Sequence, residues 1–433
     1  MSPLAEVLLS AGVPVSGSDM SDSPTVKRLQ SLGIGVTVGH SAGNIEGAGF
    51  IIRTAAARDD NVEVAAAREQ GIPIFERAQA WGYIMREYKN AICVSGVHGK
   101  TTTTSMVTHI LLSANADPTV MIGGTLPALQ SGYRIGGGDV IVLESCEYYN
   151  SYHSFSPTVA VILNVDADHL DFFKDLEDIK ESFRTFASLV PPSGAVVCNG
   201  DDVNTISALA PLGRELITFG LGAENRVRAE NIKEADVSSS FDLVLDGEKI
   251  ASVSLNIPGR HNITNALAAA AAVLTLGVDP RAISDGLCAF KGVERRFEYK
   301  GSFNGADIYD DYAHHPNELR ALLDAVLALS YKRVILAFQP HTFTRTKALF
   351  DSFLNELARV DLLFLAEIYA AREINTVGIS SNDLAEKLPG AVFCPTFSEL
   401  IDKVRSSASP GDIILTVGAG DIYRVGEALV NLS

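Results

Sequence analysis

The string Cys93-Val94-Ser95-Gly96-Val97-His98-Gly99-Lys100-Thr101-Thr102 constrains this chain more than any other part of it. The apolar run Ala91–Ser95 reads as a buried strand. A turn with two glycines follows, and Lys-Thr then opens a helical pattern over Thr102–Leu112. A strand that runs through a glycine turn into a helix leaves N–H groups of the turn and of the first helical turn free for phosphate oxygens. Lys100 adds a point charge, and the Thr101 hydroxyl is placed to hold Mg2+. The common form of this loop has a glycine five residues before Gly99, where Val94 stands, so the motif is the tighter GxxGKT. A Thr-rich helix start after a glycine turn is the ordinary alternative. The strand before it and the helix after it favour a triphosphate site.

Further clusters follow strand-like runs. Asp139-Val-Ile-Val-Leu-Glu144 is an apolar strand ending in an acid, the usual second half of a Mg·ATP site. Pro157 to Asp171 delivers Asn164, Asp166, Asp168, His169 and Asp171 into one loop at a strand end, where α/β enzymes place ligands. His169 is the better ligand candidate; for the aspartates a helix-capping role is equally open. In Asn256-Ile-Pro-Gly-Arg-His-Asn262-Ile-Thr-Asn265, Asn262 is a candidate cap for the Ala-rich helix Ile263–Leu276, and Asn265 can present its amide to a purine edge. Tyr309-Asp310-Asp311-Tyr312-Ala313-His314-His315-Pro316 crowds acids and histidines before a proline, which no propensity explains. Phe338-Gln339-Pro340-His341-Thr342-Phe343-Thr344-Arg345 also follows a strand, and Arg345 suits a carboxylate or phosphate. Gly418-Ala-Gly420-Asp421 is a weaker glycine turn.

Apolar runs alternate with helical patterns along the whole chain, which predicts an α/β protein with parallel sheets. Three blocks separate: residues 1–87, 88–292 and 293–433. The first has strands near Val13–Gly17, Gly35–Val38, Phe50–Arg53 and Ile72–Phe75. The second carries a hairpin-like insertion, Arg226–Pro258, with Asp246-Gly247 as its turn. The chain opens on an amphipathic helix, Pro3–Ala11. The formal net charge of −17, with no basic block, makes it a poor partner for nucleic acid or an anionic membrane. The longest charge-free apolar stretch near the middle, Ala266–Val278, is too short for a membrane span. Five scattered cysteines without a CxxC argue against a disulfide framework or zinc site and fit a reducing, cytoplasmic setting.

Gly96-Val-His-Gly-Lys-Thr-Thr-Thr-Thr104, Asp168-His169-Leu-Asp171, Gly259-Arg-His-Asn-Ile-Thr-Asn265-Ala and Asp310-Asp-Tyr-Ala-His-His-Pro316 together resemble the Mur ligases, in the family's order and over nearly the whole chain. The members most similar add L-alanine to UDP-N-acetylmuramate in peptidoglycan synthesis. The resemblance implies three domains: a Rossmann-like UDP-binding domain, a central P-loop ATPase domain and a C-terminal Rossmann-like ligase domain. It implies ATP and Mg2+, and a carboxylate that becomes an acyl phosphate before the amine displaces phosphate. The residues Gly96 to Thr102 would bind ATP, with Lys100 stabilising the transferring phosphoryl group. Thr101 and Glu144 would hold one Mg2+, and His169 with Glu144 a second. Asn265 would contact adenine, Arg296 the γ-phosphate and Asp311 the ribose. Tyr312, His314, His315, His341 and Arg345 would hold the amino acid and the muramyl carboxylate, and Ser18, Asp19 and His40 are the candidates on the uridine side.

The chain also departs from the family pattern. Members usually start with a strand and a Gly-Ile-Gly-Gly turn that cradles the uridine diphosphate, and Met1-Ser-Pro-Leu-Ala-Glu looks like the residues just after it. The expectation is a first sheet short of its central strand. Thr342 stands where many relatives place an arginine, and Cys146 and Asn150 stand where aspartates are common. Three alternatives stay open: a relative that adds a peptide or another amino acid, an inactive nucleotide-binding protein, and a simple kinase.

Overall fold

The computed structural model describes every residue of the chain except Ala55, Asp171, Asp236, Arg372 and Ser433. Its centre is a ten-stranded sheet. Asn90–Ser95, the strand that feeds the phosphate loop, lies between Val159–Ile162 and Val140–Glu144 and is parallel to both. Strands this deep in a parallel sheet are apolar on both faces. Ile92 and Val94 pack to one side with Val140 and Val142, and Ala91 and Cys93 to the other with Ile141 and Leu143.

One face is covered by the helices Lys100–Ser113, Arg260–Leu274 and Pro280–Ala289. The Ala-rich helix is solvent-free along Ala266–Val273, because its small side chains let it lie between a helix and the sheet. A Cβ on Gly286 would lie 2.5 Å from the Cα of Ile110, so glycine sets how closely the Pro280–Ala289 helix approaches the helix of the phosphate loop. The other face is covered by Leu176–Ser188 and an aromatic group of Tyr152, Phe183 and Phe186.

The predicted insertion is three antiparallel strands, Val227–Ala235, Ser238–Leu245 and Glu248–Leu255, that extend the central sheet. Asp246 and Gly247 both have positive φ (49° and 90°), as a tight hairpin turn requires. A second hairpin, Thr119–Leu126 with Ser131–Arg134, closes the opposite edge; it was not expected from the sequence. The C-terminal block is a six-stranded sheet, parallel except for the antiparallel edge pair Glu298–Phe303 and Ala306–Asp311.

The N-terminal block contains two separate parallel pairs: Ser16–Asp19 with Gly35–Val38, and Ile51–Arg53 with Ile74–Glu76. No strand among the described residues bridges them. The first strand starts three residues later than predicted, so Ser18 and Asp19 lie within it rather than after it. Buried Glu6 ties this block to the centre: it accepts hydrogen bonds from the Tyr133 hydroxyl and from Arg28. Among the described residues no helix is long and apolar enough to cross a membrane.

Candidate active site at the phosphate loop

The loop between Ser95 and Lys100 needs its glycines. Gly96 has φ +142° and Gly99 φ +86°. A Cβ at 96 would meet Leu163 Cβ at 2.8 Å, and one at 99 would meet Asn265 Oδ1 at 2.5 Å. Asn164 clamps the turn from the next strand: its Oδ1 accepts from His98 N (2.8 Å) and its Nδ2 donates to His98 O (3.0 Å). The helix starts at Lys100, two residues before the predicted start, and no side chain caps it. Its first N–H groups and its positive dipole end are thus available to an anion. Thr104, Ser105 and Thr108 satisfy their buried hydroxyls on carbonyls four residues back.

Lys100 folds back over the loop. Its Nζ donates to the carbonyls of Gly96 and Val97 and to Glu147 Oε2 at 3.0 Å. Burial works against this charge, but Glu147 outweighs it and holds the ammonium above its ordinary range. Thr101 Oγ1 donates to Glu144 Oε1 at 3.1 Å, and Gly123 N fixes the other carboxylate oxygen at 2.7 Å. A hydroxyl beside a carboxylate is the hard-oxygen donor set Mg2+ takes, so these two residues fit the expected cation.

His169, expected to share a cation with Glu144, lies beside a second acid. Its Nε2 lies 3.8 Å from Glu147 Oε1, and the ligand atoms of His169, Glu147 and Cys146 fall within 4.8 Å of one another. The sequence pairing named Glu144, which is taken by Thr101 and Gly123. His169 is fixed by a left-handed backbone (φ +51°) and by the Tyr148 ring stacked 4.3 Å away. Glu147, only 2% exposed, went unrecognised in the sequence; its signal was its place three residues after Glu144. Asp171, from the same string, lies outside the described residues.

The C-terminal block closes over this site. Asp168 and Arg345 form a buried pair, with Arg345 Nε and Nη2 each 3.0 Å from Asp168 Oδ1. Burial alone would raise the Asp168 carboxyl; the Arg345 charge, helped by nearby histidines, holds it well below the usual range. Arg345 Nη1 also donates to His341 Nδ1 (3.2 Å), which places the His341 proton on Nε2. The His341 ring stacks on Tyr369 and sits 5.5 Å from His314. His314 Nδ1 donates to Tyr312 O at 3.0 Å, leaving Nε2 as an acceptor. Burial pushes His314 down to about 4 and His341 down to about 3, so both rings are neutral at pH 7. A cavity of about 150 Å³ is lined by Asp168, His169, Thr342, Thr344 and Arg345.

His315, expected among the substrate contacts, is held by two hydrogen bonds in this structure. Its Nδ1 accepts from Asn317 N to cap the helix Pro316–Leu327, and its Nε2 donates to Ala167 O. The two adjacent arginines also separate. Arg295 is spent on Asp310 and on the carbonyls of Gly418 and Gly420. Arg296 faces a cavity of about 300 Å³ that His98, Gly99, Thr102, Asn265 and Asp311 also line. Tyr312 lies under both guanidinium groups. Asp311 accepts from the N–H groups of Phe297 and Ala313, and burial raises its carboxyl to about 6. Asn262 is not the cap of its helix, which is Gly259; its amide donates to Pro258 O.

His98 sits at the seam between the blocks. Its Nδ1 is 3.3 Å from Glu318 Oε1 and its Nε2 is 3.7 Å from Asp166 Oδ2. Burial opposes the charge, yet the two flanking carboxylates raise the imidazole to about 9. In the N-terminal block Ser18 and His40 do come together, on a residue the sequence did not single out. Ser18 Oγ donates to Glu63 Oε2 (2.7 Å), and His40 Nδ1 is 3.0 Å from Ser18 Oγ and 3.4 Å from Glu63 Oε1. Asp19 stays apart and accepts from Ser21 N in a local turn.

Three family profiles match in chain order. Residues 1–89 match one described as "Mur ligase family, catalytic domain", 94–273 the "Mur ligase middle domain" and 295–420 "Mur ligase, glutamate ligase domain". A UDP-N-acetylmuramate–L-alanine ligase of Clostridium novyi is 44% identical over 431 residues, covering 99% of this chain and 94% of its own. One of Lachnospira eligens is 46% identical over 437 residues, covering 99% and 95%. The crystal structure of a UDP-N-acetylmuramate-alanine ligase from Thermotoga maritima superposes with a TM-score of 0.80 at 29% identity, covering 100% of this chain and 96% of that one. With all three profiles in order and relatives this similar over their full length, the chain belongs to the Mur ligase family.

Proposed function

We propose that this chain joins L-alanine to the carboxylate of UDP-N-acetylmuramate in peptidoglycan synthesis, at the expense of ATP. A carboxylate oxygen attacks the γ-phosphorus, the bond to the bridging oxygen of ADP breaks, and an acyl phosphate results. The amine of L-alanine then attacks the acyl carbon, loses a proton, and expels phosphate by breaking the C–O bond. Lys100 and the free N–H groups of the loop stabilise charge on the transferring phosphoryl group. Mg2+, held by Thr101 and Glu144, supplies further charge neutralisation when bound. Arg296, Asn265 and Asp311 line the nucleotide's cavity, so ATP lies between the central and C-terminal blocks.

The observation that carries this reading is a chain of contacts from the phosphate loop through Lys100 and Glu147 to His169, which with the Asp168–Arg345 pair lines a cavity of about 150 Å³, small enough to suit alanine. We read residues 1–87, 88–292 and 293–433 as the sugar-nucleotide, ATP and amino-acid domains. Five free cysteines fit a cytoplasmic setting. Phosphate release with UDP-N-acetylmuramate and ATP tests the proposal, with L-alanine set against glycine, L-serine and a muramyl tripeptide. L-alanine is expected to give the highest kcat/KM. Preference for the tripeptide would move the chain to a peptide-adding activity, and ATP binding without sugar-nucleotide-dependent release would make it a binding protein.

A further inference from the structure

A cavity of about 630 Å³, the size of an organic ligand's pocket, is lined by none of the residues given a part in the reaction. Tyr88, Thr158 and Pro191 line it, and they stand just ahead of the parallel strands Asn90–Ser95, Val159–Ile162 and Ala195–Asn199. It therefore sits at the N-terminal ends of the central strands. The phosphate loop is at the other end of Asn90–Ser95, roughly 20 Å away at ~3.3 Å per residue. Phe75, Tyr83 and Phe155 supply flat apolar walls, with Phe75 edge-on to Tyr83 at 5.8 Å. Among the described residues Arg86 is the one formal charge that lines the cavity. Its guanidinium lies over the Tyr83 ring at 5.0 Å, and its Nε donates to Ser156 Oγ at 3.2 Å. No carboxylate among the described residues pairs with it, and nothing there accepts from its two terminal nitrogens. In a chain of formal net charge −17, a guanidinium left unpaired beside flat rings is matched to a planar anion.

One stretch of chain joins this cavity to the phosphate loop. Glu144 and Glu147 hold Thr101 and Lys100, Tyr148 stacks on His169, and Ser154 to Pro157 wall the cavity. In between, Tyr149 and Asn150 have left-handed backbone (φ +56° and +53°), which adjacent non-glycine residues keep only while their surroundings hold it. The helix Arg77–Met85 is part of those surroundings: a Cβ on Gly82 would lie 1.8 Å from Ser154 O, so the helix is seated directly on the turn. We propose that this cavity is a second ligand site, that it takes a flat-ringed organic anion through Arg86, and that its occupancy is coupled to nucleotide at the phosphate loop through the turn Tyr148–Ser154. A ligand wedged between the helix and Ser156 shifts the seat of the turn, and the turn places Glu147 on Lys100. The site goes beyond the ligase reading and does not depend on it.

Naphthoate is the probe, with naphthylmethanol as its uncharged counterpart. Calorimetric titration of the full chain at neutral pH should show one saturable equivalent of naphthoate, bound at least about fivefold more tightly than the alcohol. Arg86→Gln should remove that difference. Ser156→Asp keeps Arg86 in place but sets a carboxylate beside it, and should weaken naphthoate by at least as much; it carries the test if Arg86→Gln does not fold. No saturable binding, equal binding of the acid and the alcohol, or binding unchanged in both variants overturns the proposal. A non-hydrolysable ATP analogue with Mg2+ should change the naphthoate Kd by at least about twofold and then level off, because coupling between separate sites is finite and reciprocal. A Kd that keeps rising with nucleotide is competition at the phosphate loop and rules out a second site. A Kd that does not move rules out the coupling. None of these readouts needs turnover, so failure of alanine-dependent phosphate release would sink the ligase reading and leave this site standing.

Discussion

Under the proposed function the phosphate loop and the N-terminal strand ends would do related jobs, holding the two ends of a large substrate pair, but they are built differently. At the loop every support comes from buried structure. Ser95, Leu163 and Glu147 are almost wholly out of solvent, and Gly96 and Gly99 have no room for a Cβ. At the other end Ser16–Asp19 and Gly35–Val38 are largely exposed, and the local core is a small group around Ile45, Ala66 and Ala67. A site whose chemistry depends on sub-ångström placement is set in a rigid sheet. A site that holds one end of a substrate needs less. Substitutions at the two ends should therefore separate cleanly into effects on kcat and effects on KM.

The largest effect is expected at Lys100. Lys100→Ala removes the charge that faces the transferring phosphoryl group, and kcat should fall by at least about 10²- to 10³-fold. The fold should survive, because the helix is held by its apolar face, and circular dichroism of the variant should match the native chain. Comparable kcat would break the comparison at its stronger end.

Next comes the pair that seals the rigid side. Arg345→Met leaves Asp168, 9% exposed, as an uncompensated buried charge, and should cost about 3–5 kcal/mol in denaturant unfolding. The double variant Arg345→Met/Asp168→Leu should recover most of that stability, since removing both charges removes the unpaired one. Activity should not return, if Arg345 also serves the amino acid. Recovery of both would reduce the pair to a clamp between blocks.

A pH series tests the seam at His98. Its folded pKa, about 9, is raised above the unfolded value near 6.5. Its contribution is therefore complete below pH 6.5 and is lost as pH rises through 9. His314 and His341 have the opposite sign. They are buried neutral at about 4 and 3, so their contribution is complete above pH 6.5 and falls as the pH drops towards those values. Thermal unfolding from pH 6 to 10 should show a basic loss that His98→Gln flattens, by lowering the Tm near pH 6, where the native contribution is complete. An unchanged basic limb would mean that Asp166 and Glu318 do not hold an imidazolium.

Much of the rigid region was legible in the sequence because its grammar is local. A strand, two glycines and Lys-Thr lie within ten residues, and each has one structural use. Glu147 and Asn164 were harder. Glu147 is a second acid on a loop, and nothing local says which acid reaches Lys100. Asn164 reads as one polar residue among several until the parallel register sets it beside His98. His315 shows a related limit: a histidine in an acid- and histidine-rich string reads as chemistry, and its helix-capping bond and its bond to Ala167 O are legible only in the fold. One edge of the central sheet was missed because Thr119–Leu126 and Ser131–Arg134 mix glycine with polar residues and carry no clean alternation.

Glu63 marks the limit of that legibility and the smallest expected effect. It lies in the first turn of the helix Val62–Glu69, where an acid is ordinary and would be assigned to the helix dipole. The fold gives it a second use, because its carboxylate gathers Ser18, Asn44 and the Ser41 N–H at one point, with His40 alongside. Burial works against the charge, but these hydrogen bonds overcome it and hold the carboxyl below its usual value. Glu63→Gln keeps the shape and weakens the acceptor. On the exposed side of the comparison, the KM for the sugar nucleotide should rise by about two- to tenfold while kcat stays within about twofold. Stability should change by about 1 kcal/mol or less, the worth of a partly exposed hydrogen-bond cluster. A fall in kcat with KM unchanged would place Glu63 in the rigid half, and the division between the two ends of the substrate would have to be redrawn around it.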